Sequence, residues 1–272
     1  TFRVPRVIPL FGSIGCFGVM FLIDAKFSVI AIFSIIGMYL LLLKRSSAVY
    51  APDVRSGLLV YLAERFAKAA SQLPYYPKIW KPNLLVSVYY PDHFSVIIPL
   101  IQAIVYPAGR MTVFKVLADS AEKIRRQELY GRLTQDIFPL RQKGIFVKTS
   151  VVEAVEVLSG TITIMQTVNS MFFAPNTLFY MLEKKREAAE DRGIIEEASR
   201  EGLGIIVLKY NEQTGLGQQN IVNLWIRRQS PNINLAILVA LQLEKNWRGQ
   251  VRLIQVVERE EDRAEASAYL ER

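Results

Sequence analysis

KPNLLVSVY (Lys81–Tyr89) and APNTLFYML (Ala174–Leu182) each enter a short apolar run through a Pro-Asn dipeptide. Similar runs, rich in β-branched residues, recur at Met111–Leu117, Ile145–Thr149, Leu203–Leu208, Ile221–Ile226 and Val251–Val257, all of strand length. Between them, Asp119–Lys143, Val151–Asn169, Glu183–Glu201 and Asn234–Asn246 have helical length and periodicity, with Gly144, Gly202 and Gly249 ending or following helices. Strands that alternate with helices predict βαβ units and a mostly parallel sheet. The Pro-Asn repeat suggests two related α/β halves, 81–170 and 171–272, although Pro-Asn is also ordinary punctuation ahead of a strand.

Residues 1–45 are written for a different solvent. Val7–Ile23 and Phe27–Leu43 are apolar runs of seventeen residues each, and Val7–Leu43 holds only two charged residues, Asp24 and Lys26. Arg3 and Arg6 precede the first run and Lys44 and Arg45 follow the second, the positive-inside pattern of a transmembrane helical hairpin with both ends cytoplasmic. Asp24-Ala25-Lys26 is expected to make the tight reversal at the far interface. Gly12 and Cys16 form a small-xxx-small pair, and Gly15 and Gly18 thin the same helix, so a neighbouring helix could approach closely. A linker and connecting helix are expected over 46–80. Ser46–Arg55 is polar and carries Pro52, and Gly57–Gln72 places Leu58, Leu59, Leu62, Phe66 and Ala69 at helical spacing. Thr1–Arg6 has neither an initiator methionine nor the look of a signal peptide, so the chain reads as part of a longer one; its end at Tyr269–Arg272 suggests a truncated last domain.

The net charge of +8 is spread along amphipathic stretches with acids interleaved, as in Glu183–Arg192, which argues against nucleic acid. Cys16, the only cysteine, lies in the first apolar run, so neither a disulfide framework nor a cysteine zinc site is expected. His93 is the only histidine; beside Asp92 at a helix start it reads as part of a cap. Gly215-Leu216-Gly217 opens no helix and reads as a turn, not a phosphate cradle. Glu196-Glu197 and Glu258–Asp262 look like solvated helix faces, with Arg200, Arg259 and Arg263 as counterions. No Gly-x-Ser-x-Gly elbow is present. The sequence therefore assigns no catalytic, cofactor-binding or metal-ligating residue, calls for no cofactor, and does not describe an enzyme.

These residues resemble the carboxy-terminal part of the cation-chloride cotransporter family, within the amino acid-polyamine-organocation superfamily. Phe2 to Arg6 followed by Gly12, Gly15 and Val19–Ile23 is similar to the start of the family's eleventh transmembrane helix, and the next run to the twelfth. Phe172–Leu178 (FFAPNTL) is similar to its KPNTL strand opening. Asn223–Ile226, Leu235–Leu243, Trp247-Arg248 and Val251-Arg252 follow its DVWWL…LLLPYLL…WRKCKIRVF segment. Arg227–Asn232 replaces the acidic, glycine-containing turn of eukaryotic members, so a prokaryotic-type member is expected. The resemblance implies a multi-pass cell-membrane protein with a cytoplasmic α/β domain in two universal-stress-protein-like halves. It also implies electroneutral movement of chloride with sodium or potassium by alternating access. Ion sites would lie on earlier helices. Partners would be a second copy, through hairpin and cytosolic domain, the remaining helices of the parent and the lipid bilayer. The α/β part is expected to be regulatory and dimer-forming. An amino acid permease terminus and a membrane-anchored nucleotide-binding sensor are the alternatives.

Overall fold

The computed structural model describes residues 7–45, 54–72, 80–183, 186–227, 230, 232–257, 259 and 263–270. The chain divides into two units, Thr1–Gln72 and Leu73–Arg272. The first contains α1 (Val7–Ile23), α2 (Ala25–Arg45) and α3 (Val54–Ser71). Asp24 alone separates α1 from α2. Its Oδ1 accepts from the amides of Lys26 (2.9 Å) and Phe27 (3.2 Å), capping α2 at Ala25, so Lys26 is already helical and the expected three-residue reversal shrinks to one residue. Ser28 Oγ donates to the carbonyls of Met20 and Asp24, both at 2.7 Å, and is buried where its apolar neighbours are not. Phe11, Leu22, Phe33 and Leu41 are all exposed. Among the described residues no helix is long and apolar enough to cross a membrane. A run of seventeen residues, the length of α1, rises about 25 Å, against a hydrocarbon core of about 30 Å. The connecting helix forms as α3, whereas most of the linker expected at 46–55 lies outside the described residues.

In the second unit, β1 (Asn83–Ser87), β2 (Arg110–Leu117), β3 (Phe146–Glu153), β4 (Thr177–Met181) and β5 (Gly204–Leu208) form one parallel sheet in the order β3-β2-β1-β4-β5. The two Pro-Asn strands lie side by side at its centre. Leu84 pairs with Thr177, Leu85 with Leu178 and Val86 with Phe179, so the sequence repeat and the strand register coincide. The asparagines clamp this register reciprocally. Asn83 Nδ2 donates to the carbonyls of Ala174 (2.6 Å) and Phe173 (3.0 Å), and Asn176 Nδ2 donates to that of Lys81 (2.7 Å). Asn176 Oδ1 accepts from the amide of Asn83 at 3.0 Å, and the amide of Asn176 donates to the Asn83 carbonyl at 3.0 Å. Both prolines are buried, where the lack of an N–H costs nothing.

On one face, α4 (Pro91–Val105), α6 (Arg126–Asp136), α7 (Phe138–Gln142) and α10 (Ile233–Trp247) enclose Leu84, Val86, Val113, Leu117 and Phe179. On the other, α8 (Val157–Asn169) and α9 (Ala188–Arg200) cover Leu85, Phe114, Leu178 and Tyr180. Burial on both faces is why β1, β4 and most of β2 read as continuous apolar runs and not as alternating ones. β6 (Ile221–Trp225) and β7 (Gln250–Ile254), joined through α10, make a separate two-stranded parallel sheet, and α11 (Arg263–Leu270) follows.

Several boundaries move for physical reasons. Of Pro91–Val105 only a helix start at Asp92-His93 was expected, yet Phe94, Ile97, Ile101 and Ile104 recur at helical spacing and are buried in α4. Asp119–Lys143 is three helices: α5 (Ser120–Ile124), capped by Asp119 Oδ1 on the Ala121 amide at 3.0 Å, then α6 and α7, the last carrying Pro139 in its first turn. Val151 and Val152, expected to begin a helix, extend β3 against Lys115 and Val116, and α8 starts at Val157. The division expected at 170/171 runs through the five-stranded sheet, because β1 and β4 are its central pair. Asn176→Ala and Asn83→Ala are each expected to lower unfolding stability by about 1–3 kcal/mol, with the double variant losing less than the sum because they share bonds. Urea unfolding in neutral detergent measures this, and strict additivity would rule out a reciprocal clamp.

Candidate functional site

Connections from β1 run outward to β2 and β3, whereas β4 runs outward to β5 in the other direction. The carboxyl ends of β1 and β4 thus flank the switch point at which open α/β sheets bind ligands. Here that crevice is occupied by the protein's own charges. The Lys115 side chain is 3% exposed; its Nζ donates to the Tyr89 carbonyl at 2.6 Å and pairs with Glu122 at 3.0 Å. The Arg186 side chain is 1% exposed and lies with its guanidinium carbon 4.3 Å from the Tyr89 ring centroid. It donates to the Tyr180 hydroxyl and has Glu190 and Asp191 carboxylates at 3.8 Å. Tyr180 in turn donates to Asp191 Oδ1 at 2.5 Å. Two buried cations therefore face three carboxylates of the same chain, Lys115 at hydrogen-bond distance and Arg186 at 3.8 Å, with its Nε lacking a hydrogen-bond partner among the described residues. Burial, reinforced by the bond to Asp191 and opposed by Arg186, pushes the Tyr180 phenol well above its ordinary value. Burial also raises Tyr89, with Tyr90 adding and Arg186 opposing.

At the rim, His93 Nδ1 sits 3.0 Å from the Glu183 carboxylate, joining the start of α4 to the chain that leaves β4. The Asp92–His93 pair is not a cap, contrary to expectation. Tyr90 is the N-cap of α4 and makes no side-chain cap bond, Pro91 occupies the first turn, and Asp92 pairs instead with Arg132 of α6. Gly215 and Gly217, at φ 57° and 63°, form the expected turn between β5 and β6. Glu197 departs from the solvated face expected of it. It is mostly buried, pairs with Arg200 at 2.9 Å and accepts from Gln166 Nε2 at 3.2 Å, holding α9 to α8. Of Glu258–Asp262, only Arg259 lies within the described residues. Among the described residues no group of three His, Cys, Asp or Glu side chains is placed to hold a metal ion.

None of the crevice residues was singled out in the sequence. Lys115 carried a usable signal, a lysine inside the apolar run MTVFKVL, since a cation in a doubly covered strand needs a buried partner. Arg186 sits in a run of alternating charge, where nothing distinguishes it from solvated neighbours.

Fold and site together define a doubly wound α/β domain whose switch-point crevice is filled by its own ion pairs, followed by a βαβ appendage. Residues 86–216 match "Prokaryotic cation-chloride cotransporter, C-terminal domain, 1st", and residues 217–272 match the "2nd" domain of the same description. The crystal structure of the cytoplasmic domain of a prokaryotic cation chloride cotransporter is 26% identical, with a TM-score of 0.61 over 71% of this chain and 72% of that one. The chain belongs to the prokaryotic cation-chloride cotransporter family and carries its C-terminal domain. The two matched segments meet at 216/217, between the five-stranded sheet and the appendage. A universal stress protein from Archaeoglobus fulgidus is 13% identical, with a TM-score of 0.35 over 48% of this chain and 100% of that one. A universal stress protein in complex with cAMP gives 9% and 0.33 over 47% and 96%. No curated protein sequence matches.

Because the Tyr180 pKa is raised, the folded state holds that proton more tightly than the unfolded chain. Its contribution to stability is complete below about pH 10 and is lost as pH rises beyond. Tyr180→Phe is expected to be less stable at neutral pH but to lose stability less steeply above about pH 10. Urea midpoints across an alkaline series measure the slopes, and equal slopes would count against a protonated Tyr180.

Proposed function

We propose that the chain is the membrane-attached scaffold and cytosolic dimer-forming, regulatory end of a transporter that moves chloride together with sodium or potassium, electroneutrally. The observation that carries the reading is the face of the β6–β7 sheet that stays exposed among the described residues. Val222 and Leu224 turn toward Leu235 and Val239 of α10. Ile221, Asn223 and Trp225 lie on the opposite face, where Trp225 is 65% exposed. Parallel strands are ordinarily covered on both faces, and two strands alone are marginal in water. A half-covered parallel pair with an outward tryptophan fits a face completed by a second copy, with Trp225 as the anchor.

The α1–α2 pair supports attachment to the membrane. Its apolar side chains are exposed, and runs of seventeen residues fit a bilayer that thins locally around them. The match to a cytoplasmic domain supports placing the second unit in the cytoplasm. The self-paired cations of the crevice support a structural reading of the switch point in preference to a nucleotide sensor.

Trp225→Ala is expected to raise the dimer dissociation constant by about tenfold or more without lowering the thermal stability of the dilute monomer, since the ring is exposed in the single chain. Analytical ultracentrifugation in neutral detergent measures it, and a chain that stays monomeric at high micromolar concentration would sink the dimer reading. Independently, the chain is expected to pellet with membranes after carbonate extraction and to be released when residues 1–45 are deleted. Release of the intact chain would remove the membrane part of the proposal.

A further inference from the structure

Helices α4, α7 and α10 run back along the sheet and end at its amino-terminal edge, opposite the crevice. Their ends enclose a recess of about 390 Å³ lined by Gln102, Tyr106, Lys143, Lys245, Asn246 and Arg248. Among the described residues, three cations and no carboxylate line it. The Asn246 carboxamide donates to the carbonyls of Ala103 (2.6 Å) and Tyr106 (2.9 Å), fastening the end of α10 to the end of α4. Lys143 Nζ is held by Gln102 Oε1 at 3.0 Å. Among the described residues neither Lys245 nor Arg248 has an ion-pair partner, whereas Arg110, at the start of β2, is engaged over the Phe173 ring at 4.0 Å.

A simpler account is that these cations only neutralise helix ends. Each carboxyl end carries about −0.5 charge, so three ends account for about half of the three positive charges. Arg248 is not explained that way. It sits at φ 55°, ψ 31°, the left-handed position after α10 that favours glycine. Gly249 follows, packed so closely that a Cβ there would meet the Gln219 and Asn220 carbonyl oxygens at 2.8 Å. An arginine kept where glycine fits better presents a guanidinium to the recess at a conformational cost. At about 30 Å³ per water, the space equals about a dozen waters, more than a single phosphate group needs.

We propose that this recess binds a compact phosphate-bearing anion, an oligophosphate or a phosphomonoester headgroup. Arg248 offers planar two-point donation, Lys143 and Lys245 supply mobile ammonium groups, and the Tyr106 ring forms a wall. The test titrates pyrophosphate and tripolyphosphate calorimetrically into the full chain in neutral detergent, with a second arm using short-chain phosphatidic acid in the same micelles. One-site binding is expected, weakened about tenfold or more by K143Q/K245Q. R248G is expected to bind about tenfold more weakly while melting no lower than the unmodified chain, which separates ligand contact from folding. Variant-sensitive binding in the soluble arm assigns the site to free oligophosphate, and in the lipid arm alone to a headgroup. No heat in either arm, or equal affinity in the folded variants, overturns the proposal.

Discussion

The reciprocal hydrogen bonds between Asn83 and Asn176 set the geometry from which the rest of the second unit follows. They act at the one place in the sheet where chain order reverses, and they tie the first residue of β1 to the residue before β4. A slip of one residue there would exchange the faces of Leu84 and Leu85, emptying one core into the other. The clamp also reaches the neighbouring strands. Pro82 accepts from the Arg110 amide at 2.9 Å and Asn176 accepts from the Gly204 amide at 2.9 Å, so β2 and β5 take their starting positions from the same pair of dipeptides.

With the register fixed, the two ends of the sheet acquire opposite electrostatic characters. At the carboxyl end, Lys115 and Arg186 are withdrawn from water and answered by Glu122, Glu190 and Asp191, and removing one partner would leave a buried charge unanswered. At the amino end, helix carboxyl ends converge and the cations around them stay exposed and without carboxylate partners among the described residues. The difference is one of dielectric. Charges inside the crevice act on the fold strongly because water is excluded, while those at the recess stay available to ions from solution.

The sequence reveals this architecture where physics is local. Seven strand runs, their alternation with helices and the Pro-Asn repeat all correspond to real elements, and the repeat even anticipates the central pairing. It fails where packing overrides pattern. Phe94 to Ile104 is apolar enough to obscure its helical period, and Val151-Val152 joins β3 because β2 offers a pairing edge of the same length. The fall of Glu197 onto Gln166, the bond of His93 to Glu183 and the burial of Arg186 depend on residues 31, 90 or only 6 positions away that meet through the fold. No periodicity encodes them. The family resemblance identified the family correctly, and the two similar strand openings belong to adjacent strands of one sheet.

α10 carries the most consequences per residue. Leu243 closes the core beneath α4, Asn246 ties the two helix ends together, and Lys245 with Arg248 faces the recess. The left-handed turn at Arg248 then sends the chain into Gln250, whose amide donates to the Asn220 carbonyl at 2.8 Å and starts the β6–β7 ladder. A parallel pair of strands cannot set its own register through a hairpin turn, so the length and ending of the intervening helix must do it. The half-covered face that bears Trp225 is therefore aligned by the same helix terminus that shapes the recess. Changes at Leu243 will act through the core and through the appendage together, whereas Lys245, exposed and without a described ion-pair partner, can be altered with little effect on either.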